Sequence, residues 1–302
     1  MAVRLLAAVV AFALLAAACG DDASESDDAS APASAGTGEA TSGSDSVSGS
    51  ASGSVLDSVS ASGVVRIGVR NDNPPMSFTD DGGEWVGFDI DLANAMATQL
   101  GHELELVPVD GTTRISFLED GQVDMSVASM NHTRSREEAI DFSITYFWDN
   151  QSFLVRTDTY QSIDELIGQT VAANAGSSVI DSWNAYVAER DGETPEIVEF
   201  DDKLAAMQAL RDGAVEGYSE DNITLLSLAA GDPNLTLLPG GHNPVQFGIG
   251  VPENDSEWRD EINLALQELW KSGQFQEIYE RWFEGPDRII DLPLGGQMEI
   301  WP

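Results

Sequence analysis

The sequence has 302 residues, 52 of them acidic and 14 basic, which gives a formal net charge of −38 and enough chain for one or two well-packed domains. A chain this acidic is repelled by nucleic acid and by anionic lipid surfaces, which argues against both as partners. The single cysteine, Cys19, excludes an intrachain disulfide and a thiolate metal site.

The first nineteen residues have the pattern of an export signal. Arg4 precedes an apolar run over residues 5–18 that is shorter than the roughly 20 residues a membrane-spanning helix requires. Small residues stand directly before Cys19, which resembles a bacterial lipobox, although Ala16 lies three places before the cysteine and the leucine one place further back. We predict a signal peptide over residues 1–18 and a lipidated Cys19 that anchors the exported protein to the membrane, at the cell surface or in the periplasm. The alternative is a plain secretory signal with Cys19 as a bystander.

Residues 20 to about 62 are almost entirely Ser, Gly, Ala, Asp, Thr and Glu, with no aromatic residue and no periodic apolar pattern. Such a segment cannot bury enough apolar surface to fold. We predict a flexible linker over residues 19–63, with ends on the order of 35 Å apart. That length lets a folded body lie just above a membrane.

Short β-rich runs alternate with amphipathic helical runs from Val64 onward. The first part predicts a strand at 64–69, a helix at 88–100 ended by Gly101, a strand at 103–107, a short helix at 113–120 and a strand at 123–128. This alternation indicates a parallel-type sheet covered by helices.

The same alternation restarts after Arg156. Ser162 and Glu165 have the spacing of a capping box that opens a helix. The remaining predicted elements are strands at 170–173, 196–200, 214–219, 235–238 and near 247–251, and helices at 177–189, 202–211, from about 222, 257–271 and 274–283. The chain therefore predicts two successive α/β lobes followed by a helical tail.

Catalytic motifs are scarce. The sequence has no Gly-x-Ser-x-Gly, no phosphate-binding loop with lysine and no His-Glu-x-x-His, and its three histidines are scattered. Hydrolase and metalloenzyme functions are therefore disfavoured, and we predict no catalytic residue, no metal and no cofactor.

A candidate anion site lies within residues 129–143, where a strand gives way to a turn. Thr133 is placed to cap a new helix, with Arg136 in its first turn. An arginine is electrostatically unfavourable there, because a helix N-terminus carries partial positive charge. Backbone N–H groups and a guanidinium together form a carboxylate site. An ion pair between Arg136 and Asp141 is an equally good interpretation.

Two further candidates lie at strand ends. Ser177 and Ser178 follow a predicted strand and offer donors to the same anion, although capping of a helix by Ser177 is the simpler interpretation. Asp221 offers an acceptor to an ammonium group. Acids are common in turns, so neither candidate is decisive alone.

Several stretches in order along the chain carry a family resemblance. They are 65–69 (VRIGV) with 74–78 (PPMSF), 87–93 (GFDIDLA), 118–124 (LEDGQVD), 133–136 with 141–143, and 248–252 (GIGVP), the last leading to a helix that ends at 279–283. Together they span residues 64–285 and resemble the polar-amino-acid class of bacterial solute-binding proteins, the extracellular subunits of ABC importers.

The resemblance implies a type 2 periplasmic-binding-protein fold. This is an α/β fold of two lobes, each with a mixed sheet flanked by helices, joined by a two-strand hinge. Lobe 1 would cover residues 64–154 and 248–302, and lobe 2 residues 155–247. A monomer would capture an amino acid by hinge closure and present it to a membrane permease.

The resemblance also assigns site residues position by position. Arg136 would bind the ligand α-carboxylate and Asp221 the α-ammonium. The carboxylate would have further help from Ser129, Asn131, Ser177 and Ser178. Asn131 stands where a serine or threonine is usual. Asn73 stands where an aromatic residue often covers the ligand, which argues against a ligand sandwiched between rings.

Arg70 narrows the ligand class. Many relatives carry an aspartate at this position, whereas an arginine resembles the glutamate/aspartate-binding branch, as does Arg114. A second cation in the cleft would neutralise a side-chain carboxylate, so we predict a polar amino acid such as glutamate, aspartate or a related one. The alternative is that Arg70 points to solvent or pairs with Asp72.

The function predicted from the sequence is therefore binding rather than catalysis. One alternative is an enzyme on the same scaffold, resembling cyclohexadienyl dehydratases, with Glu220 or Asp72 as its acid or base. Another is a ligand-sensing domain that feeds a separate signalling chain.

Overall fold

The computed structural model describes residues 53–283. The predicted signal peptide, Cys19, most of the predicted linker and the 284–302 end of predicted lobe 1 lie outside the described residues. No helix within residues 53–283 is long and apolar enough to cross a membrane.

The described chain contains thirteen strands, eight α-helices and one 3-10 helix. The strands are β1 Val64–Val69, β2 Asp72–Asn73, β3 Ser77–Thr79, β4 Trp85–Val86, β5 Glu103–Pro108, β6 Met125–Asn131, β7 Ile140–Phe142, β8 Phe147–Arg156, β9 Val171–Asn174, β10 Ile197–Phe200, β11 Gly217–Asp221, β12 Leu235–Leu237 and β13 Asn243–Pro252. The helices are α1 Val55–Ser62, α2 Phe88–Leu100, α3 Ser116–Glu119, α4 Val179–Ala188, α5 Lys203–Asp212, α6 Asn222–Ala229, α7 Ser256–Ser272 and α8 Gln274–Phe283, with the 3-10 helix at Ile163–Leu166.

One mixed sheet runs through the whole described body. Its strand order is β10-β9-β11-β8-β13-β6-β1-β5, with β12 paired to β8 and β7 paired to β13. Strand β1 lies parallel between β5 and β6, and β9 lies parallel between β10 and β11. Strands β2, β3 and β4 form a separate antiparallel sheet.

Two ten-residue strands, β8 and β13, connect the two ends of this sheet. They pair with each other antiparallel, from Phe147 opposite Phe247 to Gln151 opposite Asn243. We call the part with β1–β7, α1–α3, α7 and α8 lobe 1, and the part with β9–β12 and α4–α6 lobe 2. The prediction of two α/β lobes joined by two strands is confirmed. The boundaries predicted at 154/155 and 247/248 fall inside the shared strands.

Each lobe has its own apolar core. In lobe 1, Phe88 packs against Phe147, which stacks on Phe247 with ring centroids 5.4 Å apart, and α7 and α8 cover the cluster. In lobe 2, Trp183 packs edge-on against Phe153 at 4.7 Å. Ile223 of α6, in lobe 2, also packs into the lobe 1 cluster.

The predicted linker extends too far toward the C-terminus. Residues 55–62 form α1, with Val59 buried in the lobe 1 core. The Asp255 carboxylate accepts hydrogen bonds from Ser54 Oγ at 2.8 Å and from the Val55 N–H at 2.7 Å. The helix start is therefore satisfied from outside its own segment, and composition alone gave the wrong prediction here.

Three local predictions are also corrected. No helix begins at Thr133: Arg136 N–H donates to the Thr133 carbonyl at 3.1 Å, and hydrogen-bonded turns over 134–139 run directly into β7. The predicted capping box opens only a four-residue 3-10 helix, and the Ser162 side chain does not cap it. The helix predicted at 113–120 is limited to Ser116–Glu119.

Candidate functional site

A narrow polar cavity of about 10 Å³ lies between the lobes, at the carboxyl ends of strands β1, β6, β9 and β11. Ligands of open α/β sheets bind at this position, because the loops that leave the strand ends converge there. The cavity is lined by Arg70, Asn73, Gly111, Arg114, Ser129, Asn131, Asn174, Ala175, Ser177, Lys203, Glu220, Asp221 and Thr224.

Five of the seven ligand-binding residues predicted from the sequence line this cavity: Arg70, Ser129, Asn131, Ser177 and Asp221. The other two, Arg136 and Ser178, lie directly beside it. Ser178 Oγ accepts a hydrogen bond from Asn131 Nδ2 at 2.8 Å. Arg136 donates to the Asn131 carbonyl at 2.8 Å. The structure therefore brings all seven residues into one region.

Arg136 bridges the two lobes. Its second terminal nitrogen donates to the Gly176 carbonyl of lobe 2 at 3.0 Å. The alternative ion pair with Asp141 is not formed, because that carboxylate faces Arg259 at 3.6 Å and accepts from the Asn254 N–H. Burial lowers the pKa of Arg136, while Asp221 and Glu220 act in the opposite direction.

Asp221 lies at the end of β11, where its chain turns into α6. Its Oδ1 accepts hydrogen bonds from Asn131 Nδ2 and Gln151 Nε2, each at 3.2 Å, and no ion pair reaches it from the described residues. Burial and the neighbouring Glu220 charge raise its pKa to about 6. A cationic group placed beside Asp221 would lower this pKa and stabilise the ionised carboxylate.

Arg70 is buried and pairs with Asp72 through two hydrogen bonds, Nε to Oδ1 at 2.9 Å and Nη2 to Oδ2 at 3.0 Å. Burial opposes the charged form, yet Asp72 and Glu220 hold the pKa of Arg70 above its usual value. The ion pair with Asp72 is the alternative that the sequence left open. Arg70 therefore lines the cavity with its charge already compensated.

Arg114 differs from Arg70 in having no acidic partner. It is 4% exposed and donates only to the backbone carbonyls of Ala128 at 2.9 Å and Ser129 at 3.3 Å. Its Nε has no hydrogen-bond partner, and no carboxylate in residues 53–283 forms an ion pair with it. Burial, with repulsion from Arg136 and Arg70, lowers its pKa well below the ordinary value. An unpaired buried cation of this kind favours an anionic ligand group.

Sequence reasoning missed part of the cavity wall. Lys203, at the start of α5, is 3% exposed and lies 3.3 Å from Glu220. Asn73 and Thr224 line the cavity together with Lys203. For Asn73, the sequence indicated only that an asparagine stands where an aromatic residue is common in relatives. Lys203 is one of only two lysines in the chain, and this rarity was the one available clue to its role.

Ser129 adopts a left-handed backbone conformation with φ of +46°, which is uncommon outside glycine. Its Oγ donates to Asp89 Oδ2 at 2.6 Å, and the Tyr146 hydroxyl donates to Asp89 Oδ1 at 3.0 Å. Burial raises the pKa of Asp89 to about 6 despite these donors. Across residues 53–283, no group of three His, Cys, Asp or Glu side chains is arranged to hold a metal ion.

Comparison with known proteins identifies the class. Residues 65–285 match the model of the bacterial extracellular solute-binding proteins, family 3. The ABC transporter glutamine-binding protein GlnH of Bacillus subtilis is 33% identical over 207 residues, covering 67% of this chain and 74% of that protein. The chain therefore belongs to the family 3 solute-binding proteins.

Solved structures agree with this fold. An ancestral arginine-binding protein bound to glutamine aligns with a TM-score of 0.68 and 32% identity, over 74% of this chain and 99% of that one. A mutant of ArgBP from T. maritima aligns with a TM-score of 0.69 and 31% identity, over 76% of this chain and 100% of that one. The predicted type 2 periplasmic-binding-protein fold is confirmed, and the relatives named here are binding proteins rather than enzymes.

Proposed function

We propose that this protein is the amino-acid-binding subunit of an ABC importer and that it captures an acidic amino acid, glutamate or aspartate, by closing its lobes on it. The observation that carries this proposal is the set of charges in the cleft that lack an opposite partner. Arg114 and Arg136 have no ion-pair partner among residues 53–283, and neither does Asp221. An acidic amino acid supplies two carboxylates and one ammonium, which match this set.

The remaining charges of the cleft cancel locally. Arg70 pairs with Asp72, and Lys203 lies against Glu220. Because burying an unpaired charge is costly, a bound ligand is favoured when it pairs every remaining charge. A neutral side chain such as that of glutamine would leave one arginine unpaired. A cationic side chain would add like charge beside Arg114.

We assign Arg136 to the ligand α-carboxylate, Asp221 to the α-ammonium and Arg114 to the side-chain carboxylate. The residue that favours an acidic ligand is therefore Arg114 rather than Arg70, because the charge of Arg70 is already compensated by Asp72. Ser129, Asn131, Ser177 and Ser178 supply further polar contacts around the α-groups. The relatives named above bind glutamine or arginine by name, so Arg114 is where we expect this chain to depart from them.

Isothermal titration calorimetry of the full chain with glutamate, aspartate, glutamine and arginine tests the proposal. We expect glutamate or aspartate to bind most tightly. Arg114→Met should then cost glutamate roughly 2–5 kcal/mol, the range for truncating one partner of a buried charge pair, and should cost glutamine much less. Arg190→Met is the matched control, since Arg190 lies on the lobe 2 surface against Tyr186 and Asp164. Tighter binding of glutamine or arginine than of glutamate by the unaltered protein would refute the acidic-ligand assignment.

Lipid anchoring of a monomer through Cys19, after removal of residues 1–18, is part of the same proposal. It is supported by the apolar run that ends in small residues before Cys19. Mass spectrometry of the membrane fraction should find the protein beginning at a diacylated Cys19, and Cys19→Ser should release the protein from the membrane. A Cys19→Ser variant that stays in the membrane fraction would exclude the anchor.

The charges of the cleft argue against the alternative of an enzyme on this scaffold. That function needs an acid or base poised over the substrate, and the two candidates were Glu220 and Asp72. Glu220 faces Lys203 and Asp72 pairs with Arg70. Both carboxylates have pKa values lowered by these cations, so neither is suited to hold a proton.

A further inference from the structure

Asn73 joins the two lobes at the inner wall of the cavity. Its Oδ1 accepts hydrogen bonds from Lys203 Nζ at 2.6 Å and from Thr224 Oγ1 at 2.8 Å, both of lobe 2. None of the three side chains is more than 3% exposed. Buried hydrogen bonds of this kind meet little competition from water and are strengthened by the low local dielectric.

The lobe 1 end of this connection is itself fixed. Asn73 Nδ2 donates to Ser129 Oγ at 3.2 Å, and that hydroxyl donates to Asp89 at the start of α2. Tyr146 donates to the same carboxylate. A continuous series of hydrogen bonds therefore runs from the lobe 1 core to α5 and α6 of lobe 2.

Apart from bonds made by the shared strands β8 and β13, the other side-chain hydrogen bonds between the lobes involve groups that a ligand would use. Arg136 reaches the Gly176 carbonyl, and Asn131 reaches Ser178 and Asp221. An entering carboxylate or ammonium would compete for these groups. Asn73 is different, because both lone pairs of its oxygen are taken by lobe 2 donors and one N–H remains for other use.

We propose that Asn73 is a positioning residue that fastens lobe 2 to lobe 1 through Lys203 and Thr224, in both the presence and the absence of ligand. The closed form is then populated before any amino acid enters, and a bound amino acid leaves slowly because these bonds must break first. The effect on ligand release rests on the proposed function. The effect on the ligand-free protein does not.

Distance measurements on the ligand-free full chain test this inference. Spin labels on Glu103→Cys in lobe 1 and Glu193→Cys in lobe 2, both exposed positions, report lobe separation by pulsed electron resonance in a Cys19→Ser background, after refolding from denaturant to remove bound ligand. We expect a short-distance population that Asn73→Leu reduces about tenfold, since a buried hydrogen bond to a charged donor is lost. Thr224→Val should reduce it less. Asn73→Asp, which keeps the acceptor oxygen, should retain it.

Ser219→Ala is the matched control for Thr224→Val, because it removes a buried hydroxyl whose hydrogen bond goes to the β8 Ser152 carbonyl rather than to Asn73. It should leave the short-distance population unchanged. A ligand-free protein with only the long distance, or equal populations with and without the Asn73 oxygen, would overturn the inference. If Asn73→Leu does not fold, the short-distance populations of Thr224→Val and Ser219→Ala are compared instead, and equal populations would overturn the inference.

The same variants separate this inference from the proposed function. In stopped-flow measurements, Asn73→Leu should release glutamate about tenfold faster than the unaltered protein, while Asn73→Asp should not. Loss of glutamate binding with an intact short-distance population would refute the ligand assignment alone. Intact glutamate binding and release with no short-distance population would refute the role of Asn73 alone.

Discussion

The two walls of the cleft carry opposite charge. Lobe 1 contributes Arg70, Arg114 and, at the edge, Arg136, and the carboxylate of Asp72 pairs with Arg70. Lobe 2 contributes Glu220 and Asp221 against Lys203. An amino acid has its own charges separated in the same sense, so each lobe can hold a different end of it. On the proposed ligand assignment, the charges that face each other across the cleft are also the charges that bind the amino acid.

The largest effect is expected from the lobe 1 wall. Arg136→Ala should weaken binding of every amino acid that binds by roughly 2–5 kcal/mol, because it leaves the α-carboxylate without its buried cation. Calorimetry measures the loss, with Arg259→Ala as the control, since that arginine pairs with Asp141 outside the cavity. An unchanged dissociation constant would mean that the wall charges do not carry recognition.

A steric change on the same wall should act on closure alone. A Cβ at Gly111 would lie 2.8 Å from the Ala175 carbonyl oxygen of lobe 2. Gly111→Ala should therefore hold the lobes apart and weaken binding by about 1–3 kcal/mol, the usual cost of overpacking, with little change in thermal unfolding. Gly82→Ala, at an exposed turn of lobe 1, serves as the control. Equal affinities of both variants would show that the lobes need not approach this closely.

The lobe 2 wall should respond to pH. Burial and Glu220 raise the pKa of Asp221 to about 6, so its carboxylate becomes protonated below that pH and can no longer pair with an ammonium. Affinity should fall by at most about tenfold per pH unit below pH 6. Calorimetry from pH 4.5 to 8 measures this slope, and Asp221→Asn should flatten it.

Stability of the ligand-free protein should change in the opposite direction. A carboxyl whose folded-state pKa is raised contributes stability below its unfolded value near 3.8, and that contribution is lost as pH rises through about 6. Asp89 adds to the same trend, since its pKa is also raised to about 6. Thermal unfolding of Asp221→Asn between pH 4 and 8 should show a weaker decline than the unaltered protein. If Asp221→Asn lost stability with rising pH as steeply as the unaltered protein, the pH dependence would come from groups other than Asp221.

The smallest effect is expected far from both walls. Asp255→Ala should cost about 1 kcal/mol of stability, as for loss of a helix cap, because the carboxylate caps α7 as well as holding Ser54 and Val55. Hydrogen exchange should show α1 opening first. Amino-acid affinity should stay the same, and a large change in affinity would show that α1 is energetically coupled to the cleft.

Much of the fold followed from sequence periodicity. The bounds of β1, α2 and α8 were predicted to the residue, because each has a clear apolar pattern with a stop such as Gly101. Helix α1 was missed because its stability depends on Asp255, which lies 200 residues away in sequence from Val55. Local composition cannot contain that information.

The site was predicted less completely than the fold. Asp221 was accessible to sequence reasoning because it stands at a strand end, where neighbouring strands bring side chains together, whereas Arg70 and Ser129 were assigned from the family resemblance. The meeting of Asn73 with Lys203 and Thr224 was not accessible, since it depends on how two separately folded lobes come together. The sequence also could not show that Arg114 forms no ion pair with any carboxylate of residues 53–283.

Helix α1 also determines how mechanical load enters the protein. The Asp255 carboxylate ties Ser54 and Val55 to the start of α7, and Val59 is seated in the lobe 1 core. A force applied to the chain at residue 53 would therefore act on the Asp255 hydrogen bonds and on Val59 before it reached β1, which leads directly into Arg70. The N-terminal side of the described chain is therefore attached to lobe 1 at α7, away from the residues that line the cavity.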